Sequence, residues 1–206
     1  MEIETWKQSM EETPTRDVPE THKGLVDYLR THASMYKAHS MLGDPKGAPI
    51  RIGEIYDWII ENAVCLTGID LEKTERQPFY GPAKIKDCYY NSMVCQSFNH
   101  ELEYWEGWAA GIIPTNHAWN VEENSVIDLT WSKLDYIRDN SEQVAYFGVA
   151  IPREFVRERL FKETRFKPSG VAGPYIWDYA VYQIIKEKKH HIEKCEAYFE
   201  PQEEEE

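Results

Sequence analysis

The chain has 206 residues, a formal net charge of −13 and 42% apolar residues, with seven Trp and thirteen Tyr. That length suits one domain with a core of its own, and that aromatic content excludes global disorder. The acidic balance repels phosphate backbones, which argues against nucleic acid as a main partner, and no apolar run approaches the roughly 20 residues of a membrane span.

In chain order, residues 1–19 carry Pro14, Pro19 and many charges with little apolar periodicity, and are expected to form an irregular lead-in. Met1 to Trp6 lacks the basic start and apolar stretch of a secretory signal. Over 21–42, Leu25, Val26, Leu29, Ala33 and Tyr36 recur at helical spacing, with Thr21 the expected cap and Gly43 with Pro45 the stop. A second helix is expected over 52–66, with Ile55, Ile59 and Ala63 on one stripe and Gly68 beyond it. Residues 69–87 read as a charged loop punctuated by Pro and Gly, and 88–99 as a short helix.

The character then changes. Segments 102–110, 117–121, 126–131 and 144–151 are rich in Trp, Tyr, Val and Ile, and are expected strands. Helices return after Pro152, which suits a first helical turn, and again over 175–190. Glu203 to Glu206, after Glu200, read as a solvated acidic tail. Helices, then a run of strands, then helices describe an α+β fold rather than an alternating βαβ one. The expected organisation is one domain over 20–199 and a disordered tail over 200–206, with no internal repeat and no Gly-rich phosphate loop.

Two strands around the polar turn Glu122-Glu123-Asn124-Ser125 make a hairpin. With Glu123 and Asn124 as the central turn residues, Val121 pairs with Val126, Trp119 with Asp128 and His117 with Thr130. His117 and Asp128 then lie on one face as diagonal neighbours, roughly 7–8 Å apart at the backbone, which an imidazole and a carboxylate can bridge. A three-residue loop would shift the register by one and separate them. An Asp that accepts from one imidazole nitrogen fixes the tautomer and frees the other nitrogen as a base.

The four cysteines, Cys65, Cys88, Cys95 and Cys195, show neither CxxC spacing nor a paired framework, so free thiols in a reducing cytoplasm are the expected state. Cys88 is the candidate nucleophile. It follows Asp87, an expected N-cap, and the amino end of a helix favours its thiolate, as would a protonated His117. Asp87 opposes that thiolate unless backbone N–H groups occupy its carboxylate. Cys95 sits two helical turns on, without that advantage, and Cys65 and Cys195 have no activating neighbour in sequence.

The stretch His117-Ala118-Trp119 followed by Asp128-Leu129-Thr130-Trp131 resembles the His and Asp half of the transglutaminase-like superfamily. Upstream, Cys88-Tyr89-Tyr90-Asn91-Ser92 and Tyr104-Trp105-Glu106-Gly107-Trp108-Ala109 are similar to that family's nucleophile helix and following strand. The resemblance covers about residues 80–150. It extends to small bacterial and phage proteins of unknown role, whose pattern continues into Tyr146-Phe147-Gly148-Val149. The chain departs from the family before the cysteine, where Asp87 stands in place of the frequent Gly or Trp. The resemblance implies a papain-like fold, with N-terminal helices and the nucleophile helix packed on a mostly antiparallel sheet. It also implies a Cys-His-Asp peptidase, amidase or acyltransferase, with Cys88, His117 and Asp128 as the triad.

Gln77, in the preceding loop, and the backbone N–H of Cys88 are the candidate oxyanion donors. Asn91, Asn116 and Trp119 neighbour the site in sequence, although Asn91 and Asn116 read equally as cap or turn residues. Alone, His117 reads as a structural histidine, Cys88 as a small apolar residue and Trp119 with Trp131 as core; joined in this order and register they make a site. His190-His191 near Cys195 lack a second ligand pair and are surrounded by Lys188, Lys189 and Lys194, so no metal is assigned and no cofactor is expected.

The expected reaction is attack of the Cys88 thiolate on an amide or ester, with a thioester intermediate resolved by water or by an amine. The substrate would be a peptide, a protein or a small amide, with no membrane partner. A rival expectation is an inactive transglutaminase-like fold whose acidic, aromatic-rich surface serves as an interaction module for a basic protein.

Overall fold

A computed structural model describes residues 17–36, 41–42, 50–78, 83–166 and 173–199. The first helix, α1 (Glu20–Tyr36), buries the stripe Leu25, Val26, Leu29 and Ala33, as its spacing requires. It begins one residue before the expected cap. Thr21 lies inside it, with Oγ1 2.9 Å from His22 Nδ1. His22 is fully buried, and its Nε2 donates to the carbonyls of Leu66 at 2.8 Å and Tyr146 at 3.0 Å, which pins α1 to two strands.

The first expected helix stops at Tyr36. Met41–Leu42 instead form β1, paired with β2 (Ile50–Arg51); the expected stop at Gly43 and Pro45 lies outside the described residues. The helix expected over 52–66 divides into α2 (Ile52–Asn62) and β3 (Val64–Thr67), with Ala63 between them in extended conformation. The expected loop after it contains α3 (Leu71–Arg76), capped where the Asp70 carboxylate accepts from Lys73 N at 2.9 Å.

Then follow α4 (Cys88–Phe98), β4 (Glu103–Ala110), β5 (Pro114–Glu122), β6 (Ser125–Ile127), a 3-10 turn (Trp131–Lys133), α5 (Asp135–Asp139), β7 (Ala145–Ala150), α6 (Arg153–Phe166) and α7 (Ile176–Phe199). The fold is α+β: seven α-helices among the described residues and a five-stranded antiparallel sheet in the order β3-β7-β4-β5-β6. The sheet curls. Val64 and Leu66 of β3 line one cavity of about 400 Å³ together with Val121, Glu123 and Asn124 of the β5–β6 hairpin at the other end of the strand order.

One face of the sheet carries Tyr104, Trp108, Phe147 and Val149, packed with Leu25, Leu29, Ile55, Ile59, Val156, Ala180 and Ile184 of the helices. The other carries Trp105, Ala109, Trp119, Val121 and Tyr146, closed by Ile69, Ile137 and Val144. Between β4 and β7 the backbones meet at Gly107 and Gly148; a Cβ on Gly107 would lie 2.2 Å from the Phe147 carbonyl oxygen, so only glycine fits beside His117's own pairing position. Among the described residues no helix is long and apolar enough to cross a membrane.

Candidate active site

The hairpin that presents His117 turns at Glu123 and Asn124, whose φ angles of 50° and 69° are both positive. That is the two-residue turn whose twist matches the flanking strands. The register follows: Val121 pairs with Val126 and Asn120 with Ile127. The ladder ends there, three residues earlier than the expected pairing of His117 with Thr130. The Asp128 carboxylate is the reason. Its Oδ1 accepts from the backbone N–H groups of Thr130 and Trp131, each at 2.9 Å, and thereby diverts the donors that would have extended β6 into the 3-10 turn.

The other oxygen, Oδ2, accepts from His117 Nε2 at 2.6 Å and from the Tyr146 hydroxyl at 2.8 Å. His117 is 2% exposed and Asp128 1%. Burial alone would push the Asp128 carboxyl up, but the His117 charge and these hydrogen bonds outweigh it and hold the carboxyl below its ordinary value. Burial would likewise push His117 down. The Asp128 carboxylate and its hydrogen bond, with a further hydrogen bond to Cys88, raise it instead to about 9. The buried Asp128 carboxylate thus favours the protonated imidazole.

Nε2 is taken by Asp128, so Nδ1 is the nitrogen left for Cys88, whose thiol is near enough to add to the rise of His117. Cys88 is the first residue of α4, and it packs with the helical core while His117 belongs to the opposite sheet face. β6 pairs β5 only from Asn120 to Glu122, which leaves that edge of β5 unpaired with β6 at His117. The N–H groups of Cys88, Tyr89 and Tyr90 precede the first α4 hydrogen bond, from Asn91 N to the Asp87 carbonyl at 2.9 Å. Of these, the Cys88 N–H is the expected oxyanion donor.

Asp87 occupies the expected N-cap position, but its side chain makes no cap hydrogen bond to the backbone N–H groups of α4. Its backbone, at φ −121° and ψ 45°, is outside the extended conformation of usual caps.

Asn91 ties the pieces together. Fully buried, it donates through Nδ2 to the Lys84 carbonyl at 2.7 Å and to Thr130 Oγ1 at 2.8 Å, and accepts from Lys84 N at 3.2 Å. It thus joins the loop before the nucleophile to the loop after the acid. Asn120 secures the same helix, donating to the Ser92 carbonyl at 3.1 Å. The Trp131 ring lies against the imidazole, with centroids 4.4 Å apart and planes tilted by 28°, and Trp119 stands 6.3 Å away on the same sheet face.

Gln77 does not reach this site. Its Nε2 donates to the Lys73 carbonyl at 3.2 Å, and its Oε1 accepts from Asn99 Nδ2 at 3.1 Å. Asn99 caps the far end of the 11-residue α4, about 16 Å from Cys88 at 1.5 Å per residue. The expected donor is corrected: α3 turns the loop so that Gln77 closes the wrong end of the helix. Asn116 is exposed on β5.

Cys95 is buried, and burial pushes its thiol up to about 12, which disqualifies it as a nucleophile at neutral pH. Cys65 is half-buried on β3. The side chains of Cys195, His190 and His191 lie outside the described residues, as do the 200–206 tail and most of the 1–19 lead-in.

Sequence reasoning missed the Tyr146 hydroxyl, although Tyr146 stands in the Tyr-Phe-Gly-Val run already noted. It also read Trp131 as core alone. No family model, curated protein or solved structure matches the chain. The site rests on its geometry.

Proposed function

We propose that the protein is a cysteine-nucleophile hydrolase or acyl transferase of the transglutaminase-like, papain-like kind. It would act on an amide or ester carbonyl of a peptide, protein or small molecule. One observation carries this reading: a buried imidazole bonded through one nitrogen to a carboxylate at 2.6 Å, with a thiol at a helix amino end among the groups that set its charge.

In the reaction the Cys88 thiol passes its proton to His117 Nδ1. Cys88 Sγ attacks the acyl carbon, the C–S bond forms, and the carbonyl π electrons move onto oxygen. The Cys88 backbone N–H and its first-turn neighbours donate hydrogen bonds to that oxyanion, and each such donor is worth about 10²–10³ in rate. Collapse of the adduct breaks the bond to the leaving amine or alcohol, which takes the proton from His117 Nδ1. A thioester and a neutral imidazole remain. Water, or an acceptor amine, then gives its proton to His117 as it adds to the thioester, and the thiolate departs. Throughout, Asp128 keeps the ring in one orientation, and Tyr146, Thr130 and Trp131 keep Asp128 in place.

Iodoacetamide labelling across pH, with the modified cysteine located by peptide mapping, tests this. The expected result is that Cys88 labels fastest near neutral pH and that His117→Ala abolishes the advantage. Equal, slow labelling of the accessible thiols would favour the binding-module alternative instead.

A further inference from the structure

Glu106 is a buried carboxylate that the chemistry above does not use. It sits on the central strand β4 with no exposed surface, on the face that packs against the helices. Three donors converge on it. The Tyr104 hydroxyl reaches Oε1 at 2.5 Å, and the backbone N–H groups of Tyr175 and Ile176 reach Oε2 at 2.7 and 2.8 Å. Those two amides open α7, whose first residue is Ile176 and whose first hydrogen bond runs from Tyr179 N to the Tyr175 carbonyl. A carboxylate from the sheet therefore caps a helix that begins 70 residues later, satisfying orphan donors and the positive end of the helix dipole together.

What this cap holds in place lies next to the nucleophile. Just before Tyr175, Gly173 runs at φ +78°, and a Cβ there would lie 2.8 Å from Tyr89 Cδ1, so the backbone presses flat against the Tyr89 ring. Tyr89 follows Cys88 directly. Its phenol is pushed far up, first by burial, then by the charges of Glu106 and Cys88. The chain of contacts runs from Glu106 to the α7 amino end, to Gly173, to the Tyr89 ring and so to the first turn of α4.

We infer that Glu106 is a positioning residue for the nucleophile: by clamping the start of α7 it closes the wall against which Tyr89, and with it the Cys88 sulfur and backbone N–H, is set. This rests on the reading of Cys88 as the nucleophile. Glu106 touches no reacting atom. Its role is to restrict the first turn of α4 to the arrangement in which Cys88 meets His117 Nδ1.

The test compares wild type with Glu106→Ala and Glu106→Gln, reading the iodoacetamide labelling rate of Cys88 at neutral pH on protein well below its melting temperature, with melting curves alongside. Alanine leaves both α7 amides without an acceptor. Glutamine can accept both through its carbonyl and donate to a reoriented Tyr104. The expected result is at least a tenfold loss of Cys88 labelling in Glu106→Ala and recovery to within threefold of wild type in Glu106→Gln. If Glu106→Ala does not fold, Glu106→Asp reads the same point, because the shortened side chain withdraws the carboxylate from α7. At least a fivefold loss is expected there. A folded Ala or Asp variant whose Cys88 labels at the wild-type rate overturns the inference and leaves Glu106 as a fold stabiliser. A wild-type Cys88 no faster than the other thiols overturns the nucleophile reading and this inference with it.

Discussion

Asp128→Asn separates orientation from scaffolding. The asparagine carbonyl can keep the two backbone bonds from Thr130 and Trp131. Its amide nitrogen then faces His117 Nε2 and the Tyr146 hydroxyl, where the carboxylate oxygen accepted at 2.6 and 2.8 Å. A donor now opposes a donor, so the imidazole must carry its proton on Nδ1, the nitrogen that should serve Cys88. The charge is lost as well. His117 stands at about 9 against an ordinary 6.5, a preference for the imidazolium worth about 3 kcal/mol.

The Asp128 carboxylate favours the imidazolium of the wild type, and that preference falls when its charge is removed. Cys88 labelling at pH 7 should fall at least about tenfold, and any turnover by up to about 10⁴, the loss typical of this change in a triad. Folding should suffer less, by about 1–3 kcal/mol for one charged hydrogen bond. The assay is the pH profile of Cys88 alkylation for both proteins, with melting curves. An unchanged profile would remove Asp128 from the mechanism, and an unfolded variant would make it a hairpin brace.

Other consequences are independent of that variant. Glu106 and His117 both hold protons more tightly in the folded chain. The Glu106 contribution to stability is therefore complete below 4.5 and lost as pH rises through about 7, and that of His117 is complete below 6.5 and lost through about 9. Melting temperature should fall steadily from about pH 5 to about pH 9, and Glu106→Gln should remove the lower half of that fall; a flat profile would contradict both assignments. Tyr146→Phe deletes one of the two donors on Asp128 Oδ2 and should slow Cys88 labelling less than Asp128→Asn while costing about 1.5–3 kcal/mol; an equal or larger loss of labelling would give Tyr146 a chemical role. Gly148→Ala would place a Cβ 2.4 Å from the Glu106 carbonyl oxygen and 2.5 Å from the Trp119 ring. It should destabilise by at least about 1–3 kcal/mol, and a neutral melting curve would show that β4 and β7 can part.

The site was legible where chemistry is local. Glu123-Asn124 tolerates the left-handed backbone of a two-residue turn, and that turn sets the register from which His117 and Asp128 come within hydrogen-bond reach. The length of β6 was not legible, because Asp128 competes for backbone donors through its own side chain. β3 was hidden for a different reason. Val64 to Thr67 continues the apolar stripe of α2, and its extended form is stabilised by pairing with β7, far along the chain. Gln77 was misplaced because Asp70 caps a helix inside what read as loop, and Gln77, at the end of that helix, bonds to Asn99. The Glu106 cap joins residues 70 apart, a distance over which a single sequence carries no signal.

Acyl trapping tests the central claim most directly. The protein is mixed with an activated ester such as p-nitrophenyl acetate near neutral pH, quenched in acid, and its intact mass and peptides are read. One acetyl group is expected on Cys88, released by hydroxylamine as a thioester is, absent in Cys88→Ala and much slower to form in His117→Ala. An acetyl group spread over lysines, or carried by Cys65 as readily as by Cys88, would contradict the account.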